Sequence, residues 1–292
     1  YPLKEQTVDY CTNAFDLNTL SWADRIFEAA GVPPETFPEA VASTEVVGEV
    51  TSQAAAETGI PQGTPVVMGA GDGGCATVGA GSVRPGISYN YIGSSSWIAT
   101  TSREPLYDPE MRTFNWAHPI SGYYQPTGTM QTAGSSFRWL QEQICRSETE
   151  EARRRGVSPY ELINALAQES TPAGHGVLFL PYFMGERTPW WNPEAKGGFI
   201  GLRLDTKRAD LVRAVIDGVA LNLNFSLQAV RRAAEPSGMI VIGGGAKGAI
   251  WRQTLADVYG LQIQVPRYLE EATSLGAAVI AGVGVGVFRD FD

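Results

Sequence analysis

The chain has 292 residues, of which 43% are hydrophobic and 18% charged, so it can bury a sizeable core in one large domain or two small ones. Its formal net charge of −9 argues against non-specific binding to nucleic acid or to an anionic membrane. Three cysteines, Cys11, Cys75 and Cys145, stand too far apart for a CxxC metal or redox motif, and an odd number favours a reducing, cytoplasmic setting. The residues given show no signal-peptide pattern, and the apolar, uncharged run 272–288 is short for a bilayer span and predicts a buried helix with a glycine-rich turn.

The N-terminal part of the chain predicts short elements. Apolar residues at helical spacing predict a helix over 22–30, which Gly31 ends. Further along, the pattern predicts a short strand over 45–50, a short helix over 53–58 and a buried strand over 64–68. Residues 1–21 show no clear period.

The middle of the chain mixes strands and helices. Two strands, 86–92 and 97–101, flank the sequence Gly-Ser-Ser-Ser and predict a β-hairpin or meander. A helix over 135–145 follows a turn of small residues, and the segment 148–155, charged on all sides, predicts a solvated surface. Ser158 as cap and Pro159 at the first position predict a helix to about residue 168. A strand over 177–180 and a loop rich in Trp and Pro over 185–193 come next.

The C-terminal part carries the longest helical pattern, over 208–234. One face of that helix holds Leu211, Val215, Val219, Leu223 and Leu227. Four elements follow in order, a strand over 238–243, a helix over 249–259, a strand over 261–265 and a helix over 271–282. Strands that alternate with helices predict an α/β fold with a central sheet.

One carboxylate stands apart from the other acids. Asp72 lies in the glycine-rich run 69–74, directly after the predicted strand, and no acidic residue occurs from 73 to 103. Glycines let a ligand approach the backbone, and a lone carboxylate at a strand end suits a catalytic base. The stretch without acids that follows suits a ligand that is itself negative, such as a phosphate.

Two glycine runs, 69–74 and 243–248, formally match the dinucleotide fingerprint G-x-G-x-x-G. Both lack the acid about 20 residues on that would bind a ribose, so each match is weak. Each run is either a tight strand-to-helix connection or part of a nucleotide site. Two such runs and a Gly-Ser-Ser-Ser loop in one chain favour nucleotide binding.

Other catalytic motifs are missing from the sequence. No GxxxxGK[ST], HRD or DFG set is present, and no GxSxG supports a serine triad. The two histidines, His118 and His175, are too far apart for HExxH chemistry and are interpreted as structural.

Five segments, in order along the chain, resemble the FGGY family of carbohydrate kinases, nearest its xylulokinase group. They cover residues 46–73, 92–97, 180–220, 242–263 and 270–286. The resemblance covers almost the whole chain, and it implies an actin-like ATPase fold, built from RNase H-like domains with a central mixed sheet flanked by helices. It further implies that 1–60 is the tail of the N-terminal sugar-kinase domain with a linker, that 61–292 is the C-terminal, ATP-binding domain, and that most of the N-terminal domain is absent from this sequence.

The resemblance also implies a set of site residues. Asp72 would be the general base that accepts the proton of the sugar hydroxyl. The positions implied to contact the nucleotide are Gly93, Ser94, Ser95, Gly134, Gly243, Gly244, Gly245 and Ala246. The small turn at Gly134 is open to a second interpretation as a plain helix start. ATP and Mg²⁺ are the implied cofactors, with the metal held mainly through ATP and by Asp residues at the cleft.

The sequence departs from the family at two positions. Gly73 stands where the family often has Asn or Gln in contact with sugar hydroxyls, and Ser94 replaces the usual Thr. Glu186 and Arg187 match a family loop and are interpreted as a structural ion pair or turn.

The implied function is phosphorylation of a sugar hydroxyl, with D-xylulose as the first candidate and gluconate, ribulose or another polyol as the alternative. A non-catalytic, actin-like nucleotide-binding domain is a second alternative, and a dinucleotide oxidoreductase a third. The implied partner is a small sugar, without nucleic acid or membrane, and a homodimer is left open.

Overall fold

The computed structural model describes residues 3–5 and 14–292; Cys11 and about half of the stretch 1–21, which shows no clear period, lie outside them. The helices, numbered in chain order, are α1 (Asp24–Ala30), α2 (Ser52–Thr58), α3 (Asp72–Gly79), α4 (Gly134–Gln143), α5 (Arg146–Arg155), α6 (Pro159–Gln168), α7 (Arg208–Val230), α8 (Ala249–Tyr259) and α9 (Ala272–Gly284). The strands are β1 (Leu3–Glu5), β2 (Phe15–Asp16), β3 (Ser21–Trp22), β4 (Glu39–Val41), β5 (Val46–Glu49), β6 (Pro65–Val67), β7 (Ser88–Ile92), β8 (Ser96–Thr100), β9 (Phe114–Ala117), β10 (Tyr124–Met130), β11 (Leu178–Leu180), β12 (Gly198–Ile200), β13 (Met239–Ile242) and β14 (Ile263–Gln264).

A six-stranded mixed sheet forms the centre of the chain, in the order β14-β13-β7-β8-β10-β9. β13 pairs in parallel with both β7 and β14, whereas the pairs β7–β8, β8–β10 and β10–β9 are antiparallel. The predicted hairpin around the Gly-Ser-Ser-Ser sequence is confirmed as β7–β8. The predicted α/β arrangement, with a central mixed sheet flanked by helices, is also confirmed.

Helices cover both faces of this sheet. On one face α7 packs against β8 and β10 and against α4, α6 and α8, and these elements share the largest buried apolar cluster. On the other face α3 and α9 pack against each other, and their Ala76, Ala80 and Ala272 contact sheet residues Tyr89 and Ala99. The ends of α3, β7 and α9 therefore lie in fixed positions relative to one sheet.

The long pattern over 208–234 forms α7, which ends at Val230. Four of the five predicted face residues are fully buried, and Leu211 is half-buried. Many other α7 residues are buried as well, because the helix is enclosed between the sheet and three helices. The pattern over 249–259 predicts α8 with the same bounds that the structure shows.

The predicted buried strand over 64–68 is wrong in its burial. Among the described residues its strand, β6, pairs only with β5, in a separate two-stranded sheet, and Pro65 and Val66 are exposed. An apolar run cannot show by itself which sheet a strand joins, since the pairing partner is distant in sequence.

The glycine run 69–74 is not a turn throughout, because its second half belongs to a helix. Gly71 caps α3, and the helix runs from Asp72 through the glycines to Gly79. Two glycines at a helix start are unfavourable for an isolated helix, so tertiary packing stabilises α3.

Strand β10 has no counterpart in the predicted elements. It contains Pro126 and Gly128, which are depleted in strands, and its Thr127 and Thr129 give no apolar alternation. Gly128 is required by packing, because an ideal Cβ there would lie 2.8 Å from the Cβ of Ser226 on α7.

Two predictions about the surface helices are refined. The charged segment 148–155 lies within α5, in which Ala152 is buried. Ser158 precedes α6 with extended backbone and Pro159 begins it, as predicted, but the Ser158 side chain makes no capping hydrogen bond. Within the part of the chain that the structure describes, no helix is both long and apolar enough to cross a membrane.

Candidate functional site

A cavity of about 690 Å³ lies where three glycine-containing loops meet. The loops follow β7, β10 and β13, and they contribute Gly93 and Ser94, Gly134, and Gly244 and Gly245 to its lining. Five of the predicted nucleotide-contacting residues are thus brought together, although they are spread over some 150 positions of sequence. Ser95, Gly243 and Ala246 stand directly beside them in the chain and do not line the cavity.

The first two loops contact each other through their backbones. The Gly134 N–H donates to the Gly93 carbonyl at 2.9 Å, and the Ser94 carbonyl accepts from the N–H groups of Ala133 and Ser135, each at 3.0 Å. An ideal Cβ on Gly134 would lie 2.4 Å from the Gly93 carbonyl oxygen. Gly134 is therefore both the start of α4 and a close contact that keeps the two loops together.

The third loop uses its glycines in different ways. Gly243 has a φ of +84°, and an ideal Cβ there would lie 2.7 Å from the Ile92 carbonyl oxygen. A Cβ on Gly245 would meet the Ile92 side chain at 2.4 Å, whereas one on Gly244 would meet nothing within 4 Å. Gly243 and Gly245 are hence required by packing, but Gly244 leaves open space in the cavity wall, where a ligand can approach the backbone.

Ser94 and Ser95 differ in their surroundings. Ser94 is exposed, and its hydroxyl accepts from the Arg138 guanidinium at 3.4 Å. The Ser95 carbonyl accepts the Gly93 N–H at 3.0 Å, which closes the tight turn between β7 and β8. Ala246 is fully buried in the 3-10 turn Gly244–Lys247 and faces the core.

One end of the cavity is aromatic. Phe137 stacks on Tyr160 with ring centroids 5.6 Å apart and meets Trp251 edge-on at 5.3 Å. Asn164, one helical turn beyond Tyr160 on α6, also lines this end, and its Oδ1 is buried with no hydrogen-bond partner among the described residues. A flat, aromatic ligand with a polar edge fits such a surface.

Another part of the cavity lining carries backbone groups and charged side chains. Arg138 and Lys247 supply positive charge, and Lys247 pairs with Glu270 at 2.6 Å across the cavity mouth. Exposed cations beside glycine-rich backbone are suited to an anionic ligand such as a phosphate chain. The cavity thus combines an aromatic end with an anion-binding end, which is the polarity of a nucleotide.

Asp72 lies outside this lining, at the first position of α3. The residue is exposed, and its Oδ1 accepts the N–H of Gly73 at 2.7 Å. No further hydrogen bond to its carboxylate is found within residues 3–5 and 14–292. One carboxylate oxygen is therefore held by the backbone, and the other is available to solvent or substrate.

The position of α3 is set by close helix contacts. An ideal Cβ on Gly79 would lie 1.7 Å from the Ala272 carbonyl oxygen, and one on Gly276 would lie 1.8 Å from the Cys75 carbonyl oxygen. The backbones of α3 and α9 hence touch directly, and α9 begins two residues after Glu270 at the cavity mouth.

Trp116 covers the residue next to Asp72. An ideal Cβ on Gly73 would lie 2.3 Å from Cζ3 of the Trp116 ring. The departure from the family at Gly73 therefore has a packing reason, because the ring leaves no room for a side chain. No pattern in the sequence connects positions 73 and 116, which only the pairing of β9 brings close.

Glu186 lies in a turn, as the sequence interpretation allowed. It is buried, and its carboxylate accepts from the backbone N–H groups of Gln131 and Arg187 and from the Asn222 amide, each at 2.9 Å. Burial raises the pKa of Glu186 despite these bonds. This carboxylate therefore links the loop to β10 and α7 by hydrogen bonds.

Both histidines have protein partners. His118 is buried; its Nε2 donates to the Ser82 carbonyl at 2.9 Å, and its Nδ1 accepts the Ile120 N–H at 3.0 Å. His175 pairs with Asp210 at 2.9 Å. Within the described ranges no group of three or more His, Cys, Asp and Glu side chains could hold a metal ion.

The sequence interpretation missed the aromatic end and the cations of the cavity. Tyr160 and Asn164 share a face of the predicted helix from Pro159, since positions four apart are neighbours on a helix. That spacing could have indicated the two cavity residues of α6, but not those on other helices. Phe137 and Trp251 lie on two other helices, and only the tertiary structure brings them together.

Comparison with known proteins gives a consistent result along the chain. Residues 88–285 match the FGGY family of carbohydrate kinases, C-terminal domain, and residues 5–79 match the N-terminal domain of the same family. The division of the chain between residues 60 and 61 falls inside the second match and stays a prediction.

Three relatives illustrate the likeness. The chain is 32% identical over 298 residues to a gluconokinase of Bacillus subtilis (99% of this chain, 57% of that protein) and 33% identical over 287 residues to an autoinducer-2 kinase of Yersinia enterocolitica (96% and 54%). A solved xylulose kinase from Rhodospirillum rubrum is 30% identical with a TM-score of 0.86, over 99% of this chain and 57% of that one. This similarity confirms the predicted actin-like ATPase fold. The chain spans about half the length of the curated relatives it matches.

Proposed function

The chain belongs to the FGGY family of carbohydrate kinases, and we propose that the protein transfers the γ-phosphoryl group of ATP to a hydroxyl of a sugar or related polyol. The observation that carries this proposal is the meeting of three glycine loops on one cavity, with Asp72 on a separate, exposed helix start. A site for a nucleotide and a site for a base are thus both supported by the same fold.

In the proposed complex the adenine occupies the aromatic end of the cavity, beside Phe137 and Tyr160. The phosphates face Gly93, Gly134 and Gly244, where backbone groups are accessible. The open space at Gly244 and the unpartnered Oδ1 of Asn164 support this orientation, since the first admits a ligand and the second needs a donor.

Asp72 acts as the general base of the proposed reaction. It accepts the proton of the attacking hydroxyl while the new oxygen–phosphorus bond forms and the bond between the γ-phosphorus and the bridging oxygen breaks. The bond from the Gly73 N–H to Oδ1 holds the carboxylate in one orientation. Proton acceptance by a positioned carboxylate contributes on the order of 10²–10⁴-fold to such a step.

Mg²⁺ neutralises phosphate charge when it is bound. Its ligands would be mainly phosphate oxygens of ATP and water, so that the second oxygen of Asp72 would stay free to accept the hydroxyl proton. The remaining positive charge near the phosphates comes from Arg138 and Lys247.

The acceptor is proposed at the level of a sugar or polyol, with D-xylulose as the first candidate from the sequence. Gluconate is the second candidate, because a gluconokinase is among the relatives that match nearly the whole chain. A homodimer and a cytoplasmic location stay predictions. A nucleotide-binding domain without transfer activity is the rival, and it would not need Asp72.

Phosphoryl transfer from ATP to D-xylulose, D-gluconate and D-ribulose, measured in the full-length protein, tests the proposal. Asp72→Asn should lower kcat by about 10²–10⁴-fold without changing ATP affinity. Asp205→Asn is the matched control, because Asp205 is an exposed carboxylate paired only with nearby Arg203. Full activity in Asp72→Asn would contradict the role of the base. Tighter binding of NAD than of ATP would contradict the kinase proposal as a whole.

A further inference from the structure

A buried tyrosine lies directly behind the helix start that carries Asp72. Tyr89 on β7 has no exposed surface, and its hydroxyl accepts from Trp97 Nε1 at 2.9 Å and from Gln125 Nε2 at 3.3 Å. Both donors lie on neighbouring strands of the sheet, β8 and β10. The Thr77 hydroxyl is a further hydrogen-bond partner at 3.0 Å, and the proton of the Tyr89 hydroxyl is donated to a carbonyl oxygen.

The carbonyl oxygen that accepts this proton lies in the first turn of α3. The Tyr89 hydroxyl donates to the Gly73 carbonyl at 3.3 Å, and the Thr77 hydroxyl, 3.0 Å from Tyr89, donates to the same carbonyl at 2.8 Å. The N–H of Gly73 donates in turn to Asp72 Oδ1. One residue, Gly73, thus connects the sheet to the carboxylate of Asp72.

The same network reaches the nucleotide cavity. The Trp97 ring stacks on Tyr91 with centroids 4.1 Å apart and planes at 18°. Tyr91 lines the cavity, and an ideal Cβ on Gly93 would lie 2.6 Å from its hydroxyl. A continuous series of contacts therefore runs from the Gly93 loop through Tyr91, Trp97 and Tyr89 to Asp72.

The hydroxyl of Tyr89 stays protonated near neutral pH and therefore remains a donor there. Burial, the largest cause, and the nearby charge of Asp72 together raise the pKa of Tyr89 to about 12.

We propose that the Tyr89 hydroxyl is a positioning group, which fixes the position of the Asp72 carboxylate relative to the phosphate-facing loop at Gly93. The inference rests on the proposed function, because it assigns to Tyr89 an effect on the base of that reaction. Tyr89 contacts neither substrate and acts through Gly73 and the first turn of α3.

The chain offers a matched control on the other face of the same strand. Asn90, the next residue of β7, points to the opposite side of the sheet, as alternation requires, and accepts from the hydroxyl of buried Tyr259 at 3.0 Å. Tyr259→Phe removes a buried tyrosine hydroxyl bond to the same strand but leaves α3 untouched. Tyr259→Phe should therefore lower the stability of the protein as Tyr89→Phe does, but it should not lower kcat.

The experiment measures kcat, KM for ATP and thermal stability in the full-length protein for Tyr89→Phe and Tyr259→Phe. Tyr89→Phe should lower kcat about tenfold with KM for ATP within about twofold, since only the placement of the base changes. Tyr259→Phe should leave kcat unchanged. Equal kcat in Tyr89→Phe and wild type, or an equal loss of kcat in both variants, would overturn the proposal.

A double variant separates positioning from general damage. In an Asp72→Asn background Tyr89→Phe should give no further loss in single-turnover transfer, because its effect passes through the missing carboxylate. An additive loss would overturn the inference and leave the proposed function intact. Full activity of Asp72→Asn alone would instead refute the base assignment. Where Tyr89→Phe fails to fold, Trp97→Phe removes the Nε1 donor while it keeps a ring against Tyr91, and it should lower kcat in the same direction.

Discussion

The two runs that match G-x-G-x-x-G, the Asp72 turn (69–74) and the Gly243 turn (243–248), have the same spacing and different structures. The Asp72 turn leads directly into α3, where Gly73 lies beneath the Trp116 ring. The Gly243 turn forms a short 3-10 segment, and Gly244 in it has no neighbour within 4 Å of an ideal Cβ. In the first turn Gly73 leaves space that the Trp116 ring fills, whereas in the second turn Gly244 leaves open space that we propose a ligand fills.

This difference shows why a glycine motif is a weak predictor of function. Glycine is required wherever backbone approaches another group closely, and the motif does not reveal whether that group belongs to the chain or to a ligand. The predictions below test which of these applies in each turn.

The largest expected effect is on the packing of the helix that leaves the Asp72 turn. Gly79→Ala would direct a Cβ at the Ala272 carbonyl, which cannot move without shifting α9. We expect the free energy of unfolding to fall by about 3 kcal/mol, measured by urea denaturation. Gly244→Ala is the control and should change it by less than about 1 kcal/mol. Similar losses in both variants would abolish the contrast between the two turns.

The next effect is acid sensitivity beyond the C-terminal end of α3, where buried His118 contacts the Ser82 carbonyl. Burial lowers the pKa of His118 to about 4. The unfolded state binds this proton near pH 6.5 and the folded state only near pH 4, so stability falls as the pH drops through that window. The full loss is about 3 kcal/mol for one group.

Urea unfolding at several pH values between 7 and 4 measures this dependence in wild type and in His118→Gln. Since other groups also titrate there, the quantity to compare is the difference between the two curves. That difference should narrow steadily toward pH 4. A constant difference would show that His118 does not titrate as proposed.

A smaller effect is expected on ATP affinity at the Gly243 turn. Gly244→Ala places a methyl group in the open space of the cavity wall and should weaken ATP binding about tenfold, which is about 1.4 kcal/mol. Titration calorimetry gives the affinity. Gly73→Ala, which meets the Trp116 ring, should show the reverse result, with lower stability and unchanged ATP affinity. If both variants bind ATP like wild type, Gly244 does not face the nucleotide.

The smallest effect concerns the ion pair at the cavity mouth. Lys247 and Glu270 are both more than half exposed, and exposed pairs contribute about 0–1 kcal/mol. Glu270→Gln should therefore change stability by less than about 1 kcal/mol and leave Lys247 free for an anion. ATP affinity at low and high salt is the measurement; a large loss of stability would show that the pair fixes the Gly243 turn to α9.

The sequence indicated much of the fold because the apolar residues of a helix recur at a helical spacing that can be recognised without the rest of the structure. The pattern over 249–259 gives the bounds of α8, and the apolar face of the long helix identifies four fully buried residues of α7. The strands were harder. The sequence analysis missed β10, which contains Pro126 and Gly128. This strand is stabilised by pairing on both edges and by contact with α7, and its own residues do not indicate either interaction.

The site was predicted unevenly for the same reason. Gly93, Gly134 and Gly244 were marked by their turns and by a resemblance that extends along the chain, and the structure brings them to one cavity. The aromatic end was not predicted, since Phe137, Tyr160 and Trp251 lie on three helices that meet only through packing.

The amino-acid sequence by itself determined the family, the positions of the glycine loops and the isolation of Asp72 among residues without acids. Tertiary structure alone decided that Asp72 begins a helix, that Trp116 occupies the space above Gly73, and that Tyr89 connects the sheet to the first turn of that helix. Turn composition and helical period are local properties of the chain. Which side chain fills the space beside a glycine depends on strands and helices that are far apart in sequence.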